Sequence, residues 1–332
     1  MPVWSHSRLS SYEKCPLQYR YRYIDKIRKD TFGIEAFLGN RVHEALEHLY
    51  RRKGEVRKAP RLPEILAVYR SRWDAEYKDN VRIVRRGWAP ADYREEGEKY
   101  LTGFYHRNAP FDDGETVGLE VKVEFALDAS GRYRVLGYID RLVRREAGLY
   151  EIHDYKTSAF RPSDEDLRRD RQLTFYQMAV RDQHADARDV RLVWHFLAQG
   201  DRRTATRTES EIEDHRRQAM RLVDRIEAAR DFPARPSPLC RWCEYRDICP
   251  AEKHKVAAEA VAAERLLAAD RNRYLEIAGR PLTKATQTSL GLPGVPDPPE
   301  RPVRRRASKP SPAKPEPRRP AEAPAVLPLP EA

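Results

Sequence analysis

Residues 132–156, RYRVLGYIDRLVRREAGLYEIHDYK, decide how the rest of this chain is read. Residues 132–144 carry one apolar run with strand-like patterning, and 149–156 (LYEIHDYK) carry another. Glu146, Ala147 and Gly148 supply a tight connection between them. Each run ends on acid: Asp140 closes GYID, and Asp154 stands two residues before Lys156. Side chains two apart on a strand share a face, so Asp154 and Lys156 point the same way, and a hairpin can bring Asp140 beside them. Two carboxylates and an amine converging there form a site for a hard divalent cation with a positive charge next to it. Such a cation can activate water and neutralise phosphate charge, while the lysine orients the water or stabilises the charge that develops. A lone D-x-K also occurs as an ordinary solvated Asp–Lys pair. The preceding G-x-x-D and the following helix with Gln172 and Tyr176 make chance a poor account here.

Working outward, residues 117–127 (VGLEVKVEFAL) alternate like a further strand. Residues 163–180 read as one helix, with Ser163 as N-cap and Asp164, Glu165 and Asp166 in the first turn, where the helix dipole favours acids. Residues 190–198 and 202–208 suggest a hairpin, and 209–230 a last helix. Towards the N-terminus the period is helical. Residues 5–23 offer N-cap candidates and spaced aromatics. Residues 37–50 (FLGNRVHEALEHLY) place Leu38, Val42, Ala45, Leu46 and Leu49 on one stripe. Residues 63–77 and 93–104 look like further amphipathic helices, and no catalytic pattern appears between 51 and 116. The expected architecture is α/β: a mixed β-sheet core flanked by helices, with an N-terminal helical annexe.

The chain has 332 residues, 40% hydrophobic and 35% charged, with net charge +11 and pI near 9.5. That length suits one elaborated domain or two, and the basic balance favours a polyanionic partner. No apolar run is long enough to cross a bilayer. The start, MPVWSHSRLSSYEKC, lacks the apolar core and cleavage site of a secretory signal. The expected compartment is the cytoplasm, where four cysteines do not make a disulfide scaffold. Residues 293–332 hold 13 of the 25 prolines with eight Lys/Arg and five Asp/Glu. We expect residues 281–332 to be a disordered Pro/Arg-rich tail, either a flexible basic arm for nucleic acid or a solubilising segment. No G-x-x-x-x-G-K-[ST] motif occurs, so a helicase motor, if one is needed, is a separate partner.

Cys240, Cys243 and Cys249 form C-x2-C-x5-C, with Cys15 far upstream. Three clustered thiolates do not close a four-coordinate site, and Cys15 is available as the fourth. Zinc, a [4Fe–4S] cluster and four free thiols all remain open on spacing alone. Tyr12, Tyr19, Tyr21 and Tyr23 stand among Arg20, Arg22, Lys26 and Arg28. Rings interleaved with cations suit single-stranded DNA, while for most of these tyrosines packing of the first helix on the core is the stronger reading. Arg241 and Trp242 are further residues able to approach DNA. The run RRDR at 168–171 is a phosphate-contact candidate or a solvated helix face.

Five stretches, in order, resemble the PD-(D/E)XK nuclease superfamily in its RecB-like exonuclease branch. They are SRLSSYEKCPLQYRYRY (7–23), GNRVHEALE (39–47), GYIDRL (137–142), HDYKTS (153–158) and QLTFYQMAV (172–180). The resemblance implies a restriction-endonuclease-like domain over residues 1–280, with a helical insertion at about 51–116 and a Cys-stapled segment at 240–249. It implies that His43, Asp140, Asp154 and the Tyr155 backbone carbonyl hold Mg²⁺ or Mn²⁺. It makes Lys156 the catalytic lysine, and it places Gln172 and Tyr176 on a Q-x-x-x-Y helix lining the DNA side of the site. A spacing of four independently puts those two on one face. Glu120 or Glu124 corresponds to an additional family glutamate, the register left open. Asp154 stands where many members carry Glu. Some RecB-like nucleases, the AddB-type and CRISPR-adaptation exonucleases among them, hold a [4Fe–4S] cluster with one upstream and three downstream cysteines. That implies the same cluster on Cys15, Cys240, Cys243 and Cys249. The function implied is metal-dependent hydrolysis of single-stranded or frayed DNA ends, in repair, recombination or CRISPR adaptation. The alternative is an inactive nuclease-like DNA-binding module.

Overall fold

The computed structural model describes residues 2–259 and a few positions between 261 and 268. The boundary expected at 280 and the Pro/Arg-rich tail lie outside the described residues. The sheet has five strands in the spatial order β3 (Glu115–Ala126), β4 (Arg134–Glu146), β5 (Leu149–Lys156), β6 (Asp189–Phe196) and β7 (Asp201–Ala205). Neighbours are antiparallel except β5 and β6, which are parallel. A parallel pair needs a crossover, and α6 (Asp164–Arg168) and α7 (Arg171–Gln183) provide it. β5 is thereby the central strand, and six of its eight residues are buried, which explains its nearly unbroken run of bulky side chains. The β4–β5 connection turns through Ala147 and Gly148, with Gly148 at φ +83°, a conformation glycine adopts without steric cost.

Two cores flank this sheet. One gathers Leu9, Ile139, Leu173, Phe175, Trp194 and Val223 from the sheet, α1 (His6–Lys14), α7 and α8 (Glu209–Ala228). The other packs α3 (Ile34–Val56), α4 (Leu62–Glu76) and α5 (Pro90–Asn108) together, and Tyr155 joins it from β5. The stripe Leu38, Val42, Ala45, Leu46 and Leu49 is buried on α3 as its spacing requires. A two-residue parallel pair, β1 (Phe32–Gly33) with β2 (Val81–Arg82), was not legible in the sequence. Among the described residues no helix is long and apolar enough to cross a membrane.

The structure corrects two expectations. The helix expected over 163–180 is two helices. Ser163 caps the first, and Asp170 caps the second by accepting from the Leu173 amide at 3.1 Å. Asp170 also accepts from the Trp194 indole at 2.9 Å, so the break is tied to β6. The helix expected over 5–23 breaks at Cys15, whose extended backbone (φ −157°) ends α1 and begins α2 (Pro16–Tyr19), which runs into a π-helical turn at Arg20–Ile24. Tyr12 and Tyr19 pack edge to face at 5.5 Å, Tyr19 stacks on Phe232 and Tyr12 meets Phe232 edge-on, so for these two rings the packing reading holds.

Candidate active site

The Arg141–His153 register of β4 and β5 sets Asp140 opposite Asp154. Asp140 Oδ2 accepts from the Tyr155 amide at 2.8 Å, so the acid is fastened to the neighbouring strand. His43, reaching in from α3, hydrogen-bonds the Tyr155 carbonyl through Nε2 at 2.8 Å. A carbonyl can only accept, so Nε2 carries a hydrogen, and in the neutral imidazole Nδ1 keeps its lone pair. Nδ1 lies 3.6 Å from Asp140 Oδ2. Anchoring one ring nitrogen on a backbone carbonyl and presenting the other is how metal-binding histidines are oriented.

Glu120 completes the group. One ligand atom from each of His43, Glu120 and Asp140 lies within 4.8 Å of the other two. Between the Leu119–Arg141 and Val121–Ile139 pairs, Glu120 takes φ +47°, a left-handed conformation that a glutamate adopts at a cost of order 1 kcal/mol. Its register follows from the irregularity between Thr116 and Gly118, which no local pattern announces. Glu124, the other register, forms an ion pair with Arg134 instead.

Lys156 lies at the end of β5. Its Nζ donates to Asp154 Oδ1 at 3.0 Å and to Gln172 Oε1 at 2.9 Å, and Gln172 Nε2 donates to the Tyr176 hydroxyl at 3.1 Å. Burial pulls the ammonium's pKa down, but the Asp154 carboxylate outweighs burial and the net shift is upward. Lys156 is therefore a fixed cation at neutral pH rather than a base. Tyr176 packs against Gly137, where a Cβ would sit 2.4 Å from its ring, so the glycine of GYID makes room for this helix face. The structure thus brings together His43, Glu120 and Asp140 in one group, and Asp154, Lys156, Gln172 and Tyr176 in a chain beside it. Asp154 is buried with its carboxylate turned to Lys156, the Oδ2 atom 2.7 Å from Nζ.

The donor set suits a divalent cation on electrostatic grounds as well. Burial lifts the Asp140 carboxyl to about 6, with the Asp154 charge adding to the shift and His43 opposing it. Burial and the Asp140 charge lift Glu120 to about 7. These acids resist ionising together, and a cation relieves that conflict. The raised pKa values carry a stability signature. The folded state holds these protons more tightly than the unfolded chain, so these two groups' contribution to stability is most favourable below about pH 4 and declines as pH rises towards 6 for Asp140 and 7 for Glu120. At about 1.4 kcal/mol per unit, Asp140 alone accounts for roughly 3 kcal/mol. Metal-free Asp140→Asn protein should therefore gain stability over the wild type as pH goes from 4.5 to 7.5, measured by urea unfolding. An equal difference at both pH values would contradict the assignment.

The four cysteines line one cavity of about 440 Å³, together with Leu17, Tyr21, Trp242 and Tyr245. The Cys15 sulfur accepts from the Arg235 amide at 3.4 Å, and Cys240 from the Ser237 amide at 3.3 Å. Burial pushes the Cys243 thiol up to about 11, with Glu244, Cys15 and Cys240 adding to the shift and a Tyr245 backbone hydrogen bond opposing it. Of RRDR, Arg171 is held by Glu13 in two hydrogen bonds (3.1 and 2.7 Å), while Arg168 and Arg169 are exposed beside Glu165.

Sequence reasoning missed the buried groups behind the site. Arg141, 1% exposed, forks onto Asp113 (2.9 and 2.7 Å) and lies 3.6 Å over the Tyr50 ring. His153 and His195 meet at 2.9 Å, both buried, with Glu151 3.3 Å from His153. Burial lowers the pKa of both imidazoles. A charged or imidazole residue inside an apolar strand is the only signal that could have found them.

A strand hairpin carrying two acids and a lysine, joined by a histidine from a helix, stands on a mixed sheet flanked by helices, the arrangement of a restriction-endonuclease-like fold. The family profile described as PD-(D/E)XK nuclease superfamily matches residues 3–250, and the chain belongs to that superfamily. A search of curated protein sequences gives no match. Among solved structures, the chain is similar to a candidate exonuclease from Eubacterium rectale at 11% identity, covering 76% of this chain and 87% of the other with TM-score 0.45. It is also similar to the protein SSO0001 at 16% identity, covering 74% and 95% with TM-score 0.31.

Proposed function

We propose that this chain is a metal-dependent deoxyribonuclease of the RecB-like branch that degrades single-stranded or frayed DNA ends. The observation that carries this is the juxtaposition of the His43–Glu120–Asp140 group with the Asp154–Lys156–Gln172–Tyr176 chain. His43 through Nδ1, with Glu120, Asp140 and Asp154, would hold Mn²⁺ or Mg²⁺, an imidazole and oxygen set that both ions accept; the Tyr155 carbonyl, which accepts from Nε2 on the far side of the His43 ring, would join them only if that hydrogen bond gave way. When bound, the cation supplies Lewis-acid activation of water and neutralises phosphate charge. Lys156, kept cationic by Asp154 and aimed by Gln172, places a positive charge where the attacked phosphorus gathers negative charge. Tyr176 holds the Gln172 amide in the orientation that offers Oε1 to the lysine.

The cysteine cavity supports a [4Fe–4S] staple. Cys15, Cys240, Cys243 and Cys249 line that one cavity, so thiolates from both ends of the domain can reach a single group. Repair, recombination or CRISPR adaptation is the setting we propose, with a separate helicase wherever duplex must be opened.

The test is cleavage of end-labelled linear single-stranded DNA by anaerobically purified protein, with Mn²⁺, Mg²⁺ or EDTA, beside Asp154→Ala. We expect metal-dependent degradation that falls by about 10²-fold or more in the variant. Absence of cleavage by folded, cluster-loaded protein would instead favour a DNA-binding module.

A further inference from the structure

A second cleft opens beside the proposed catalytic chain. It encloses about 400 Å³, and Gln172 and Tyr176 form one wall. Phe125 and Phe175 provide apolar surface, and Ser5 and His6 from the start of α1 form a polar edge. Tyr138 also lines it and is 50% exposed, a large ring left in solvent on β4. It stands two residues before Asp140, so the ring is placed within one strand pleat of the acid. His6 Nδ1 is buried and has no hydrogen-bond partner among the described residues. Burial first, then the Arg171 charge, lower its pKa to about 4, so the imidazole is neutral and can donate or accept.

An apolar slot with an aromatic rim, a neutral imidazole and a carboxamide at its edge matches a nucleobase. Bases stack on exposed aromatics whatever their identity, and offer edge donors and acceptors to side chains such as these. A cleft of this volume lies within the range of small-ligand pockets and admits about one nucleoside. A base still paired and stacked in a duplex cannot enter it.

We infer that the cleft bounded by His6, Tyr138, Gln172 and Tyr176 receives one unpaired nucleobase next to the phosphate being cleaved, so that the enzyme reads single-strandedness one nucleotide at a time. This rests on the nuclease reading of the neighbouring site and specifies its substrate. Gln172 thereby serves twice. The amide that steadies Lys156 also borders the base cleft, so occupancy and lysine position are coupled.

The test uses full-length Asp154→Asn protein, so that binding is read without cleavage, and single-stranded oligonucleotides carrying 2-aminopurine at successive positions from one end. One position should be strongly quenched on binding. Tyr138→Ala, at an exposed site where folding is not at stake, should abolish that quench, and an abasic nucleotide at the same position should weaken binding by about tenfold. In cleavage-competent protein, Tyr138→Ala should raise KM more than it lowers kcat. Unchanged quenching and KM in Tyr138→Ala would overturn the inference. If wild-type protein never cleaves DNA but the position-specific, Tyr138-dependent quench persists, the nuclease reading fails and the base cleft stands.

Discussion

Lys156→Ala is expected to slow metal-dependent DNA cleavage by about 10²–10³-fold, the scale seen when a single preorganised charge-stabilising group is removed from an active site. The physical ground is the placement of Nζ between Asp154 Oδ1 and Gln172 Oε1, at 3.0 and 2.9 Å. Alanine removes the cation and leaves a buried carboxylate without its partner, close to Asp140. Lys156→Arg keeps the charge but should not restore the rate, because a planar guanidinium cannot occupy a position defined for a point charge. Gln172→Ala frees the ammonium to turn wholly towards Asp154, and a smaller loss, about tenfold and mainly in kcat, is expected. Single-turnover kinetics on the same end-labelled strand decide the matter. A Lys156→Ala rate within threefold of wild type, with Asp154→Ala inactive, would remove the lysine from the chemistry.

Cys243→Ser is expected to have the largest effect on stability. Cys15 precedes the whole sheet and Cys240 follows it, so a group bound by both closes nearly the entire domain into a loop. Cross-links across loops this long contribute about 5 kcal/mol in the chain-entropy account. For a domain of this size that corresponds to a fall in Tm on the order of 10 °C. On the [4Fe–4S] reading proposed above, the variant should also lose visible colour and bound iron. Hydrogen bonds from Gln18 and Arg22 to Glu244 and from the Tyr245 hydroxyl to the Ile27 carbonyl still hold the segment, so some cleavage should survive at low temperature. An unchanged Tm together with retained iron would mean that Cys243 is not a ligand. Zinc in place of iron in the wild type would keep the staple and change its chemistry.

The central sheet was legible because its residues answer to local rules. Alternation located β3, the Ala147–Gly148 turn joined β4 to β5, and the D-x-K spacing placed Asp154 and Lys156 on one face. The Q-x-x-x-Y spacing likewise put Gln172 and Tyr176 on one helical surface, and they are hydrogen-bonded there. What the sequence withheld depends on distant partners. Asp170 breaks a helix partly because Trp194, on another strand, bonds to it. His43 is unremarkable on its own helix; only the family resemblance singled it out, and its partner appears where α3 crosses Tyr155. The choice between Glu120 and Glu124 turned on a register irregularity set by pairing with β4. Arg141 and Asp113 stand 28 residues apart in the chain, and only tertiary pairing joins them in one ion pair behind the site.

The left-handed backbone at Glu120 has a practical consequence for anyone improving this protein. A glycine there would relax the chain, and an amide at position 140 would end the crowding of acids. Both changes favour endurance, and on the function proposed above both disarm the site. A library of variants screened only for survival on heating will therefore drift towards robust, inert molecules, and cleavage has to be selected in the same round if it is to be kept.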